Sequence, residues 1–243
     1  MSKAGGGGFL ASRRPGVLRE MGLAPLWKSR AAAPVERGKE GDRASDIAVM
    51  DWDALRCSVA ACRACELCQT RKQAVLGVGD LAPDWLFVGE GPGAEEDERG
   101  EPFVGQAGKL LDAMLAAIDL ERGKKVYIAN TVKCRPPGNR TPTPAETAAC
   151  WPYLQRQIAL LRPRLIVALG KPAAQTLLGR EVKVGEARGR LFEHQGIPLI
   201  VTYHPAYLLR TLQDKAKAWE DLCFARATLA NLPEVSSTVS TSL

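Results

Sequence analysis

No apolar run in the 243-residue sequence approaches the ~20 residues that a helical membrane span needs. The N-terminus carries Gly, Arg and Lys but no apolar segment followed by a cleavage site, so it does not read as a secretory signal. Both absences point to a cytoplasmic protein with no membrane partner, and to a nucleoid-associated fraction if it binds DNA. No internal repeat is visible. The stretch Gly89-Glu90-Gly91-Pro92-Gly93 is not closed by a Lys-Ser/Thr pair, which excludes a P-loop. Nor does it fit G-x-G-x-x-G, which counts against a dinucleotide loop. Glu95, Glu96 and Asp97 follow in what reads as an acidic loop, and three successive acids argue against a phosphate cradle. Histidine is scarce: His194 and His204 are the only two.

The composition itself is ordinary. With 46% hydrophobic and 25% charged residues, the chain reads as globular and long enough for one sizeable domain plus an extension. A net charge of +6 is compatible with a nucleic-acid partner without showing one. Residues 1–45, rich in Gly, Arg, Pro and Ala, read as a flexible basic arm, 46–232 as the domain, and 233–243 as a disordered tail. A helix is expected to start near Asp51 or Asp53. Four short apolar runs, at 85–88, 126–130, 165–169 and 199–203, read as buried strands. Helical patterns at 106–120, 144–161, 173–178 and 215–229 lie between and after them, with a short hairpin at 186–195. The alternation predicts an α/β fold with a parallel sheet covered on both faces.

Seven cysteines without a secretory signal point to metal or redox chemistry rather than a disulfide framework. Cys62 and Cys65 form a C-x-x-C pair. Cys134 and Cys150 bracket a segment that Pro136, Pro137, Gly138, Pro142 and Pro144 make a stiff loop, and its two ends are candidates to return to the same cluster. Thiolates suit zinc or an iron–sulfur cluster, and spacing alone does not choose between them. Cys57, Cys68 and Cys223 are assigned to core or surface, and His194 to the surface. Glu90, Asn130 and His204 each stand at the carboxyl end of a predicted strand, the edge at which an open parallel sheet places its ligand.

Four segments then carry a resemblance. Gly-Glu-Gly-Pro-Gly at 89–93, Pro-Phe-Val-Gly-Gln-Ala-Gly-Lys-Leu-Leu at 102–111, Asn-Thr-Val-Lys-Cys-Arg-Pro-Pro at 130–137 and His-Pro-Ala-Tyr-Leu-Leu-Arg at 204–210 resemble the family 4 uracil-DNA glycosylases, in that family's order. The similarity runs from about Cys62 to about Arg226. It implies a three-layer α/β/α domain around a four-stranded parallel sheet, and a 4Fe–4S cluster on Cys62, Cys65, Cys134 and Cys150. It also implies a monomer that acts on uracil-containing DNA, single- or double-stranded.

Under that resemblance Phe103 stacks on a flipped uracil, Asn130 reads its O4 and N3–H, and His204 with backbone N–H groups near Gly91 stabilises the uracil anion. Arg135, Arg140 and Arg210 are expected at DNA, and Leu208 is expected to fill the space the base leaves. Where the best-known relatives carry a water-orienting aspartate, this chain has Gly91. Glu90 or Glu96 is the candidate for that part, unless leaving-group stabilisation carries most of the rate. The Arg-Ile-His insertion of relatives that cross-link to their abasic product is missing after the His-Pro motif, so turnover is expected. Two competing readings are a sensor that binds uracil or abasic DNA without cutting, and a metal-stapled nucleotide-binding module. Phe103 with Asn130 favours base recognition over phosphate binding.

Overall fold

The structure, a computed structural model, describes residues 40–233. The arm at 1–39 and the tail from 234 onward lie outside the described residues. Residues 40–45, counted with the arm from sequence, instead open helix α1 (Glu40–Val49), which buries Ile47. Helix α2 (Trp52–Ala61) starts as expected, with the Asp51 side chain accepting from Ala54 N at 2.8 Å.

Strands β1 (Val78–Gly79), β2 (Trp85–Gly89), β3 (Val126–Asn130), β4 (Leu165–Leu169), β5 (Leu191–His194) and β6 (Ile197–Thr202) form one sheet in the order β1-β3-β2-β4-β6-β5. The four central strands are parallel, and they are the four apolar runs of the sequence. The sheet has six strands rather than four, because β1 and β5 add antiparallel edges. β1 is two residues long and was hidden in a glycine-rich turn. β5 is mostly exposed, without the continuous apolar run that marks its neighbours. The hairpin lies further along the chain than expected: β5 and β6 are its arms, and Gln195 and Gly196 turn the chain with φ of 51° and 83°.

Successive side chains of the central strands point to opposite faces, and both faces are covered. Leu86, Val88, Ile166 and Ala168 pack with Leu154 and Ile158 of helix α5 (Pro144–Leu161) and Ala174 and Leu177 of α6 (Lys171–Leu178). Phe87, Ile128, Val167 and Ile200 pack with Leu111 and Leu115 of α4 (Gln106–Ala116) and Leu222 and Ala225 of α9 (Lys215–Ala230). A third, smaller core joins Ile47, Leu55, Val59, Leu67, Val132 and Tyr153 with Cys134 and Cys150. His194, expected on the surface, is buried. Its Nδ1 lies 2.7 Å from the Leu177 carbonyl and therefore donates, and Trp151 meets its ring edge-on.

Candidate active site

The register of β2 on β3 pairs Gly89 with Asn130, which brings the glycine-rich loop and the Asn130 amide to neighbouring strand ends. Beyond β2 the acids expected in a loop form helix α3 (Ala94–Arg99). Glu95, Glu96 and Asp97 occupy its first turn, where the exposed N–H groups favour negative charge. Each acid has a different task. Asp97 is buried and accepts from Lys72 N at 2.9 Å. Glu96 accepts from Gly93 N on one oxygen, at 3.0 Å, and from Val104 N and Gly105 N on the other, at 2.9 and 3.0 Å. Its carboxylate thus pins the chain on both sides of Phe103. Glu90 lines the same space, and among the described residues its carboxylate has no hydrogen-bond partner; only its carbonyl is engaged, by Thr131 Oγ1 and Val132 N.

Phe103, Asn130 and His204 meet over a cavity of about 830 Å³ that Glu90, Gly91 and Glu96 also line. The Phe103 ring is buried, 5.4 Å from the His204 ring at 31°. Asn130 is 2% exposed, and its Oδ1 is buried without a partner among the described residues. A side-chain carbon on Gly89 would lie 2.5 Å from both that oxygen and the Phe103 ring. Only glycine lets the two groups close over the strand end.

After the short α7 (Val184–Ala187), His204 caps the one-turn helix α8 (Pro205–Leu208), with Nδ1 accepting from Ala206 N at 3.1 Å. That bond fixes the tautomer: Nδ1 carries the lone pair and Nε2 the proton. Burial, aided by the Arg210 charge and opposed by Glu96, pushes the imidazole pKa down to about 4. The site therefore holds a neutral imidazole with one N–H to donate. Gly170, at φ 88° after β4, leaves the space into which His204 fits, since a Cβ there would lie 2.9 Å from His204 Cβ.

The rim is basic, but its cations differ. Arg140 gives a two-bond fork to Glu146 at 2.8 and 2.7 Å and holds that carboxyl at about 2. Much of its donor capacity is thus spent inside the protein, against the expectation of a phosphate contact. Lys171 and Lys183, which the sequence reading missed, pair with Glu181 and Glu186. Arg210 is exposed and, among the described cations lining the cavity, is the one without an acidic partner. Arg135 is half-buried and gives Nε to Asn139 Oδ1 at 2.7 Å. Leu208 is not a wedge: it is 1% exposed, turned inward with the short helix, and the leucines that face outward are Leu209 and Leu212.

Away from the cavity, Cys62, Cys65, Cys134 and Cys150 line one small void, and Cys68 joins them there. Cationic donors point at the sulfurs: Arg71 Nη1 lies 2.8 Å from Cys134 Sγ and Arg43 Nη2 3.6 Å from Cys62 Sγ. Burial pushes the Cys134 thiol up to about 11 and the Cys150 thiol up to about 12. Among the described residues no three His, Cys, Asp or Glu side chains are arranged to hold a single metal ion, while an all-sulfur lining with two guanidinium donors has the chemistry that an anionic thiolate-bound cluster takes. Lys133, fully buried beside these two cysteines, donates from Nζ to the Asn130 carbonyl at 2.8 Å. Cys57 is exposed and Cys223 half-buried, and neither lines the void.

Residues 76–223, which span the cavity-forming elements, match the sequence model of the Uracil DNA glycosylase superfamily. The chain belongs to that superfamily. Among its relatives it is 43% identical to the Type-4 uracil-DNA glycosylase of Pyrobaculum aerophilum, over 71% of this chain and 92% of that one. Identity to the Type-4 enzyme of Thermotoga maritima is 45%, over 65% and 83%, and to that of Archaeoglobus fulgidus 45%, over 62% and 79%. This superfamily member also shows what sequence reading passed over. Gly170 and the Arg122 described below carry no motif of their own, and only the folded chain reveals what they touch.

Proposed function

We propose that the protein is a Type-4 uracil-DNA glycosylase that draws deoxyuridine out of DNA, hydrolyses its N-glycosidic bond and leaves an abasic site for base excision repair. The observation that carries the reading is the buried, unpartnered amide oxygen of Asn130, set beside Phe103 and the neutral imidazole of His204 in one cavity. A buried amide with an open valence is tolerated where a ligand completes it. Uracil presents an acceptor at O4 and a donor at N3, which one amide satisfies together. Cytosine reverses both and leaves buried groups mismatched.

The chemistry follows from the same residues. Phe103 stacks on the extruded base and fixes its plane. The bond between C1′ and N1 breaks with its electron pair going to the base, where the charge spreads onto O2 and O4. The Nε2–H of His204 donates to O2, with backbone N–H groups near Gly91 adding to the field. Water adds to C1′ and gives up a proton. Glu90 is the better candidate to receive it, because the Glu96 oxygens are occupied by backbone N–H donors. Arg210 and Arg135 meet phosphates at the rim. Cys62, Cys65, Cys134 and Cys150 would hold a 4Fe–4S cluster, which when bound ties helix α2, the Pro-rich loop and helix α5 together. The protein acts as a monomer on single- or double-stranded DNA.

The test is a strand-cleavage assay on an oligonucleotide with one uracil, followed by alkali. Product is expected from wild type with uracil and none with thymine or cytosine. Asn130→Asp is expected to lose the discrimination, with the uracil to cytosine rate ratio falling by about 100-fold or more, since paired hydrogen bonds of this kind support ratios of ~10⁴. An unchanged ratio in the variant would remove Asn130 from base selection. Absence of product from wild-type protein would favour a binding protein, to be checked by its affinity for abasic DNA.

A further inference from the structure

Arg122 lies in the loop between α4 and β3, outside the cavity lining. Its guanidinium grips the backbone that carries the stacking ring: Nη1 donates to the Pro102 carbonyl and Nη2 to the Phe103 carbonyl, both at 2.8 Å. Asp112, one turn beyond Gly108 on α4, holds the guanidinium in that pose through Nε at 3.0 Å and Nη2 at 2.9 Å. The grip has something to resist. Phe103 has φ of 55°, a left-handed backbone that a bulky residue does not adopt unless its surroundings impose it. Helix α4 presses on the same carbonyl from below, so closely that a Cβ on Gly108 would fall 1.8 Å from the Phe103 oxygen.

We infer that Arg122 is a positioning residue for base excision: with Asp112 it holds Phe103 in its left-handed conformation, so that the ring stands ready to stack on the extruded base before DNA arrives. This rests on the stacking role given to Phe103 above. The planar fork of arginine matches two adjacent carbonyls and one carboxylate at once, and lysine cannot reproduce it. Relaxed to ordinary backbone angles, Phe103 would swing its ring away from His204, and the base would bind in a less reactive pose.

The experiment is a double-mutant cycle on cluster-loaded, full-length protein. Single-turnover uracil release is read together with affinity for abasic DNA, visible absorbance and thermal midpoint. Arg122→Ala is expected to slow uracil release by about 10- to 100-fold, as small misplacements at a reacting centre do. Arg122→Lys is expected to remain slow, and affinity for abasic DNA and visible absorbance to hold. In the Phe103→Ala background, Arg122→Ala is expected to add less than about threefold, because its effect passes through the ring that is gone. Equal losses in both backgrounds, or a wild-type rate in Arg122→Ala, would overturn the inference. A wild-type rate in Phe103→Ala alone would instead overturn the stacking role, and the inference with it. Should Arg122→Ala fail to fold, Asp112→Asn, which leaves the loop backbone untouched, carries the same cycle.

Discussion

His204→Ala is expected to slow uracil release by about 10²- to 10³-fold under single-turnover conditions, the range for losing one preorganised donor to a developing anion. Affinity for abasic DNA is expected to change little, because the imidazole faces the base and not the rim. The argument rests on the hydrogen bond that Ala206 N gives to Nδ1, which leaves Nε2 as the donor. It also fixes the pH dependence. The imidazole pKa is lowered from 6.5 to about 4 in the folded protein, so the group is neutral throughout the physiological range. The uracil-release rate of wild type is therefore expected to be flat as far as His204 is concerned from pH 6 to 8. It should fall in acid as protonation of Nδ1 sets two donors against each other at Ala206. Stability follows the same sign. Between about 4 and 6.5 the unfolded chain binds the proton more readily, so this contribution is full above the unfolded value and lost as pH falls toward the folded one. A rate that instead declined through pH 6.5 on the alkaline side would mean that a charged imidazole does the work.

Cys150→Ser is expected to have the second large effect, on the cluster and on stability together. Cys150 lies on α5, Cys134 follows β3 and Cys62 closes α2, so a cluster across them closes long loops of chain. By analogy with a covalent cross-link, losing such a closure costs about 3 kcal/mol or more. For a domain of this size that is roughly 6 °C or more in Tm. Iron content and visible absorbance are expected to fall with it. Cys57→Ser, at an exposed thiol outside the void, should change neither. Cys68→Ser is the decisive comparison, because Cys68 lines the same void yet stands outside the four assigned ligands. Retained iron in Cys68→Ser supports the assignment; lost iron there, with iron kept in Cys150→Ser, would reassign it. The site also bears on catalysis. Lys133 is buried beside Cys134 and Cys150 and holds the Asn130 carbonyl, so the negative charge of thiolates bound to a cluster would keep an otherwise costly ammonium in place behind the Asn130 amide.

The central strands were legible because a strand buried on both faces must be apolar throughout, and 85–88, 126–130, 165–169 and 199–203 were. Asn130 and His204 were legible for a related reason: polar groups at the carboxyl ends of such strands have few other reasons to be there. The misses have physical causes as well. Glu95, Glu96 and Asp97 suggested a loop because acids are usually solvated, yet the first turn of a helix is where they are most at home. β1 escaped, and β5 was caught only within a misplaced hairpin, because an edge strand need not be apolar. His194 was placed on the surface because it lies in the expected hairpin, yet it is buried there and bonded to the Leu177 carbonyl. Leu208 and Leu209 are adjacent in sequence, and nothing in their identity says which one the one-turn helix will turn inward. Arg122 could not have been found, since its role depends on three carbonyl and carboxylate oxygens brought together only by folding.

The pairing of Gly89 with Asn130 across β2 and β3 has a mechanical consequence. The Asn130 amide hangs from the last residue of a ladder strand, and the Phe103 ring packs against the neighbouring strand end at Gly89, so both meet at the carboxyl edge of the sheet. Arg135 and Arg210 sit on connecting segments outside it. Under the proposed function, strand pairing and the Arg122 grip hold the amide and the ring before any encounter, so adaptation is expected to fall on the nucleic acid. A nucleotide that leaves its stack easily, from a single strand or a mismatched pair, reaches such a pocket at least expense. The duplex does the moving.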